Sequence, residues 1–182
     1  MPPGKGAGQP NAVELIELFY DCIYGFLRRL TGNDADAADL AQRTFSRVCQ
    51  KLAGYVDHSS PGSWIHSIAY HLYVDWRRTL GPIEERSDEW WAAYKASEPG
   101  PDEMVARDDL HSMVFRFVDE LSPELRETIH LRYYQELTLQ ETADVMGVAL
   151  STVKYRQHQS LEELQKKLNS PTRPLKTSPP LK

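Results

Sequence analysis

Residues 137–168 read LTLQETADVMGVALSTVKYRQHQSLEELQKKL, a stretch that predicts a short helix, a tight turn and a longer helix. Thr138 and Glu141 stand at capping-box spacing and begin the short helix. Gly147 ends it, because glycine readily takes the left-handed conformation of a helix terminus. Ser151 is predicted to cap the longer helix. Two helices joined in this way form a helix-turn-helix.

The residue types in this pattern indicate how the two helices pack and what the second helix presents. Ala143 allows a close helix crossing, and Met146, Val148 and Val153 fill the space between the helices. If the second helix enters a major groove, its polar side chains contact base edges and phosphates. The candidate duplex-reading residues are Ser151, Thr152, Lys154, Tyr155, Arg156 and His158. The alternative is an ordinary helical hairpin with a solvated polar face.

Two further helices are predicted upstream of this pattern. Apolar residues at helical spacing follow Asp102 and continue to Leu121, as expected for an amphipathic helix. The Ser122-Pro123 pair then begins another helix, with proline at its first position. Together with the helix-turn-helix, these elements form a predicted domain at residues 102–168.

The N-terminal part of the chain predicts a separate domain of three helices at residues 11–80. The first helix runs from Ala12 to about Leu30, and the second begins near Asn33 or Asp34 and runs to about Ala53. Gly32 and Gly54 follow them as breakers, and the Ser60-Pro61 pair starts a third helix that reaches about Leu80.

The third helix divides its residues between two faces. Ile65, Ile68, Ala69, Leu72 and Trp76 recur at helical spacing and predict a core face. Aromatic and basic groups interleave on another face and suit single-stranded DNA, since rings stack on unpaired bases at about 1–3 kcal/mol per base. This second set comprises His66, Tyr70, Tyr73, Arg77 and Arg78. The alternative is that the rings are partly buried packing and the arginines cap the helix C-terminus.

The remaining segments lack periodic apolar residues. Residues 81–101 contain Gly, Pro and an acidic excess and predict a flexible linker. Residues 1–10 and 169–182 predict disordered ends. The predicted fold class is therefore all-α, with two small helical domains around separate cores joined by a flexible acidic linker.

Composition excludes several functional classes. No apolar run approaches the roughly 20 residues that span a bilayer, and the opening segment lacks a secretory signal, so we expect a cytoplasmic chain without membrane insertion. Cys22 and Cys49 are predicted to be small core residues, because they form no pattern typical of a disulfide framework or zinc site. The six histidines are scattered, so no catalytic, cofactor-binding or metal-binding residue is predicted. The net charge of −5 predicts weak binding to free DNA.

Several stretches resemble sigma factors of the extracytoplasmic-function (ECF) type. In the first domain these are DAADLAQRTF at residues 36–45, SWIHSIA at 63–69 and DWRR at 75–78. In the second domain they are LSPELR at residues 121–126, the segment 131–136, and the helix-turn-helix from Thr142-Ala143 through Gly147 to Thr152-Val153-Lys154. The resemblance extends from Leu15 to Leu168.

This resemblance implies a factor that binds core RNA polymerase, directs it to promoters and assists strand opening, without cofactor or catalysis of its own. Residues 34–52 would dock on the polymerase clamp, through or supported by Asp39, Leu40, Gln42 and Phe45. The first domain would capture the −10 element, with Tyr55 and His58 lining a pocket for a flipped base beside the third-helix set. The helix-turn-helix would read the duplex −35 element, and an anti-sigma factor is an expected partner.

Three residues depart from the family pattern. Gln159 stands where relatives commonly carry a basic residue, which removes a phosphate contact. Gln157 replaces a usual apolar residue, so its amide needs a partner if it faces the core. Tyr155 is bulkier than the usual small residue and either adds a base contact or obstructs approach to the groove.

Other functional classes fit part of the sequence. A helix-turn-helix repressor or activator would act on duplex DNA without polymerase, which leaves the first domain unexplained. A regulatory protein that mimics a sigma factor would dock through its helices and never melt promoter DNA.

Overall fold

The computed structural model describes residues 11–55, 60–80 and 109–169. All regular secondary structure in these ranges is helical, which confirms the predicted all-α class with two helical domains. The elements are α1 (Ala12–Thr31), α2 (Asp34–Lys51), a 3-10 turn (Leu52–Gly54), α3 (Pro61–Thr79), α4 (Asp109–Asp119), α5 (Pro123–Ile129), a π-helical turn (His130–Tyr134), α6 (Leu139–Met146) and α7 (Leu150–Asn169). The predicted linker at 81–101, the end at 1–10, most of the tail at 169–182, and His58 lie outside the described residues.

Local caps set the bounds of the first three helices. The Asn11 side chain accepts a hydrogen bond from the Val13 amide, and Gly32 ends α1 with φ 66°. The Asn33 side chain accepts from two amides at the start of α2. Ser60 accepts from the Ser63 amide, so the predicted start of α3 is confirmed.

The first three helices pack around fully buried aliphatic and aromatic side chains. Ile23, Phe26 and Leu27 of α1 are inaccessible to solvent, as are Leu40 of α2 and Leu72 of α3. Burial of one such side chain contributes about 1.5–3 kcal/mol. This packing fixes the orientation of α3, the helix that carries the candidate DNA-binding rings.

The second domain contains the predicted helix-turn-helix. Thr138 and Glu141 form the predicted capping box, and Gly147 takes φ 65° at the end of α6. The predicted cap at Ser151 is wrong, because α7 already begins at Leu150. The amides of Thr152 and Val153 bond instead to the Ala149 carbonyl.

The expectation of separate cores is also wrong. Apolar residues of the second domain belong to the same buried cluster as the core of α1–α3; they are Leu131, Leu137, Val145 and Met146. A smaller cluster lies among α4, α5 and α7; its buried members are Val118, Leu121, Leu125, Ile129 and Leu164. The cores merge because α3 has apolar side chains on two faces, and the second face packs against the second domain. Within the described ranges, no helix has the length and apolar character needed to cross a membrane.

The turn between the π-helical turn and α6 contains a strained residue. Glu136 has φ 54°, a conformation that costs an L-residue about 1–2 kcal/mol. We expect Glu136→Gly to raise the free energy of unfolding by about 0.5–1 kcal/mol, because glycine removes this strain while losing more chain entropy on folding. Chemical denaturation would measure it.

Gly147→Ala is the matched control, since Gly147 has nearly the same φ but already carries the favoured residue. We expect it to lower the free energy of unfolding. A loss of stability in Glu136→Gly would contradict the strain at position 136.

Candidate nucleic-acid interface

The predicted duplex-reading residues lie along α7. Ser151, Lys154, Tyr155 and His158 are exposed, while Thr152 and Arg156 are partly exposed. Inside the motif, Ala143 and Val153 are buried. Met146 and Val148, which were predicted to fill the space between the helices, instead pack in the apolar cluster that includes the core of α1–α3. The His158 ring lies 3.5 Å from the Glu162 carboxylate one turn later. A polar, partly cationic helix face is therefore open to a ligand.

The two glutamines that depart from the family pattern both have partners. Gln157 is only half-buried, and its amide donates a hydrogen bond to the Tyr133 hydroxyl at 2.8 Å. The amide of Gln159 lies 3.4 Å from the Glu163 carboxylate. No unpartnered amide therefore enters the core at position 157. Tyr133, in the π-helical turn, is exposed beside α7 and was not found from the sequence.

The predicted exposed face of α3 is not exposed. His66, Tyr70 and Tyr73 retain only 2%, 7% and 1% of their accessible surface. This burial agrees with the alternative that the rings are packing residues, and their contact with single-stranded DNA stays a prediction. The reason is that the second domain covers these rings.

A buried carboxylate from the second domain holds this face. Glu127 of α5 has no accessible surface. The Tyr70 hydroxyl donates to Glu127 Oε2 at 2.7 Å, and the Arg77 guanidinium forms an ion pair with Oε1. Burial raises the pKa of Glu127, while the charge of Arg77 and the Tyr70 hydrogen bond act in the opposite direction. Burial, followed by the charge of Glu127, raises the pKa of Tyr70.

A second polar contact joins α1 and α3 to Gln135, the residue that directly follows the π-helical turn. The Cys22 thiol donates to Gln135 Oε1 at 2.8 Å, and His66 Nε2 lies 3.0 Å from the same oxygen. His66 Nδ1 lies 2.8 Å from the Gly62 carbonyl oxygen. Burial lowers the pKa of His66. Nearby, the Ser60 hydroxyl donates to Glu141 at 3.0 Å.

The remaining candidates for the −10 element lie apart from this junction. Arg78 is exposed and pairs with Asp75 at 3.6 Å. Tyr55 is 9% exposed, and its ring centroid lies 4.7 Å from that of Trp64, a residue that sequence reasoning did not select. His58 lies outside the described residues.

The predicted polymerase-binding residues divide between surface and core. Asp39 and Gln42 are exposed, whereas Leu40 is fully buried and cannot reach a partner. Phe45 is 5% exposed and stacks on Tyr20 with ring centroids 5.7 Å apart. A groove between α1 and α2 brings the set together; its lining is Ile16, Tyr20, Ala38, Asp39, Gln42 and Phe45. Sequence reasoning missed the α1 side of this groove.

Both cysteines are exposed, so their prediction as core residues is wrong. Cys49 lies on the outer side of α2, whereas the sulfur of Cys22 faces Gln135. Partial burial raises the pKa of the Cys22 thiol, although Arg29 lowers it. In the part of the chain that the structure describes, no three His, Cys, Asp or Glu side chains are placed to hold a metal ion.

Two family profiles match the chain, Sigma-70 region 2 at residues 15–82 and Sigma-70, region 4 at residues 117–166. The ECF RNA polymerase sigma factor SigE of Mycolicibacterium smegmatis is 32% identical over 162 residues, which cover 88% of this chain and 63% of that protein. The chain belongs to the sigma-70 family of sigma factors. It spans less than two-thirds of the mycobacterial relative. The sigma factor is also 27% identical to SigW of Bacillus subtilis, over 90% of the chain and 92% of the relative.

Solved structures share the fold of this sigma factor. The sigma factor RpoE of Bartonella quintana, in complex with the anti-sigma factor NepR, aligns with a TM-score of 0.66 at 20% identity, over 86% of this chain and 96% of that one. CnrH in complex with the cytosolic domain of CnrY aligns with a TM-score of 0.62 at 17% identity, over 88% and 89% of the two chains.

Besides His66, the junction of the two sigma regions contains a second buried histidine, His130. His130 is 1% exposed, and its two ring nitrogens have no hydrogen-bond partner among the described residues. Its ring lies 5.0 Å from that of Tyr134, over which the Arg29 guanidinium of α1 is placed. Burial, with the positive charges of Arg126 and Arg29, lowers the pKa of His130 to about 3.

This histidine makes the folded state less stable in acid. Between pH 7.5 and pH 5 the unfolded chain takes up a proton at position 130 and the folded chain does not. This difference lowers the free energy of unfolding of the wild type by about 2 kcal/mol. His130→Leu has no titrating group at this position, so this loss is absent. From pH 7.5 to pH 5, its free energy of unfolding should therefore rise by about 2 kcal/mol relative to that of the wild type. Urea unfolding at both pH values would measure the difference. Met146→Leu is the non-titrating control, and an equal pH response in His130→Leu and the wild type would contradict the burial of a neutral ring.

Proposed function

We propose that this sigma factor binds core RNA polymerase through its first domain, reads the −35 element with α7 and captures the melted −10 strand with α3. The observation that carries this proposal is the presence of both sigma-70 regions in one chain, together with an open groove on the first region and an open α7 face on the second. Residues 11–80 and 102–168 would be the working domains, joined by residues 81–101. The factor acts by binding, without catalysis, in the cytoplasm.

The α1–α2 groove is the proposed polymerase contact. Its floor is apolar at Phe45 and Ile16, and its rim carries the polar groups of Asp39 and Gln42. An apolar centre with a polar rim is the usual composition of a protein interface. Leu40 supports this surface from the core and does not touch the partner.

The α7 face is the proposed −35 contact. Lys154 is exposed near the start of the helix and Arg156 is partly exposed, so both are available to phosphate or base edges. Because the whole chain carries a net charge of −5, these local charges supply the attraction to DNA only once polymerase holds the factor in place. Tyr155 is 65% exposed and adds an aromatic edge to the same face.

The α3 face is the proposed contact for the melted strand. Tyr70 and Arg77 offer a hydroxyl and a guanidinium, and Tyr73 and His66 offer rings, which together suit backbone and base contacts. Tyr55, His58 and Arg78 extend this set toward the 54–60 loop. An anti-sigma factor is a further proposed partner, since RpoE was solved in complex with the anti-sigma factor NepR.

Transcription with purified core polymerase tests the proposed function directly. We expect RNA chains to start only when the factor is added, and Lys154→Ala to lower promoter binding with a salt slope shallower by about one, as for one lost phosphate contact. Lys166→Ala, an exposed lysine at the far end of α7, is the matched control and should keep the wild-type slope. Sequence-specific binding to duplex DNA that needs no polymerase would instead support a simple repressor or activator.

The groove is tested by removing its polar rim. We expect Asp39→Ala combined with Gln42→Ala to weaken binding to core polymerase by about fivefold or more, since two lost polar contacts at about 0.5–1 kcal/mol each sum to at least about 1 kcal/mol. Fluorescence anisotropy with labelled factor would measure it. Gln50→Ala changes the same residue type on the same helix outside the groove and should bind normally. Unchanged affinity in the double variant would remove the groove from the polymerase interface.

A further inference from the structure

Tyr133 is the exposed residue of the π-helical turn. His130 and Leu131 of the same turn are buried, whereas Tyr133 retains 49% of its accessible surface. The neighbouring Tyr134 is half-buried and packs its ring against those of Phe115 and His130. The core of the second domain therefore uses Tyr134 and leaves the Tyr133 ring at the surface.

The Tyr133 hydroxyl is held at the edge of α7. It accepts a hydrogen bond from the Gln157 amide at 2.8 Å. Gln157 follows Lys154 by three residues, so the two side chains are neighbours on the helix surface. The phenol therefore borders the edge of α7 that carries Lys154, one of the proposed −35 contacts.

The Tyr133 hydroxyl can still donate its own proton. A phenol that accepts one hydrogen bond keeps its O–H as a donor. Within residues 11–55, 60–80 and 109–169, the bond from Gln157 is the hydrogen bond that this hydroxyl makes, so its proton is available to a ligand. An apolar side chain at position 157 could not hold the hydroxyl in this way.

The position of Tyr133 favours a phosphate over a base edge as that ligand. When a recognition helix lies in the major groove, the elements that flank it meet the sugar-phosphate walls of the groove. Tyr133 lies beside α7, in the turn that precedes the helix-turn-helix. Tyrosine hydroxyls are among the side-chain groups that donate to DNA phosphates.

We propose that Tyr133 is a further promoter contact, whose hydroxyl donates a hydrogen bond to a phosphate oxygen of the −35 duplex while Gln157 holds the phenol in place. This inference rests on the proposed function, because it takes α7 as the duplex-reading helix. The contact extends the protein surface that binds DNA from α7 to the π-helical turn. Gln157 is then a positioning residue.

A neutral donor differs from a lysine or arginine in two measurable ways. It neutralises no phosphate and releases no counterion, so its loss lowers the affinity without changing the salt slope. A phosphate contact also carries no direct sequence information. Loss of the Tyr133 hydroxyl should therefore weaken binding to different promoters by the same factor.

The test is Tyr133→Phe, which removes the hydroxyl and keeps the ring. We expect polymerase holoenzyme with this variant to bind a labelled promoter duplex about tenfold more weakly than the wild-type holoenzyme, as for one lost hydrogen bond to a charged group. The salt slope, measured by fluorescence anisotropy in a KCl series, should equal that of the wild type, in contrast to Lys154→Ala. Tyr134→Phe makes the same change in the neighbouring half-buried ring and should bind normally.

A methylphosphonate scan of the −35 duplex locates the contact. Replacing one phosphate at a time with this neutral group should reveal a position that weakens wild-type binding and leaves Tyr133→Phe unaffected. Gln157→Leu keeps the hydroxyl, so it should lose less than about threefold in affinity and still respond at that position. If Gln157→Leu loses this response while Tyr133→Phe keeps it, Gln157 is the contacting residue and the proposal fails.

Transcription with the wild-type factor separates the two levels of inference. If core polymerase starts RNA with the wild type while Tyr133→Phe binds promoters with wild-type affinity, the Tyr133 contact is wrong and the proposed function stands. Identical responses of the wild type and Tyr133→Phe at every methylphosphonate would have the same meaning. If no RNA starts with the wild type, the proposed function fails and the Tyr133 contact fails with it.

Discussion

The buried carboxylate of Glu127 determines how the two sigma regions meet. An ionised group without solvent contact is unfavourable unless hydrogen bonds and an opposite charge surround it, and Tyr70 and Arg77 supply both. Since Glu127 lies on α5 and its partners on α3, this requirement fixes one domain on the other. The merged apolar cluster then follows, because the same approach brings α6 onto α3.

Helix bounds were largely readable from the sequence because they depend on local chemistry. Asn11, Asn33 and Ser60 cap helices through their own side chains, and Gly32 and Gly147 take positive φ where helices end. Ser151 misled the same reasoning, since a serine near a helix start is a good cap only if its neighbours leave that position free. Here the helix begins before Ser151, and the Ala149 carbonyl accepts its first hydrogen bonds from the Thr152 and Val153 amides.

The candidate site could be found from the sequence but its surroundings could not. Helical spacing identified His66, Tyr70 and Tyr73 as a face distinct from the core of the first domain, yet periodicity cannot say whether such a face meets water, DNA or another part of the chain. Glu127 stands between Arg126 and Thr128, in a stretch that looks solvated, and only the fold brings it to α3. Only the α2 side of the groove could be predicted from the sequence, because its residues belong to a family motif and the α1 residues do not.

The π-helical turn links two distant functions through one short segment. The Arg29 guanidinium of α1 lies over the Tyr134 ring at the end of this turn. The hydroxyl of the neighbouring Tyr133 accepts a hydrogen bond from the Gln157 amide of α7. A displacement of this turn relative to α1 would therefore also move a side chain that contacts α7, the helix proposed to face the promoter. Under that proposal, the position of the first domain would influence base recognition, and an isolated second domain would not reproduce the promoter preference of the whole chain.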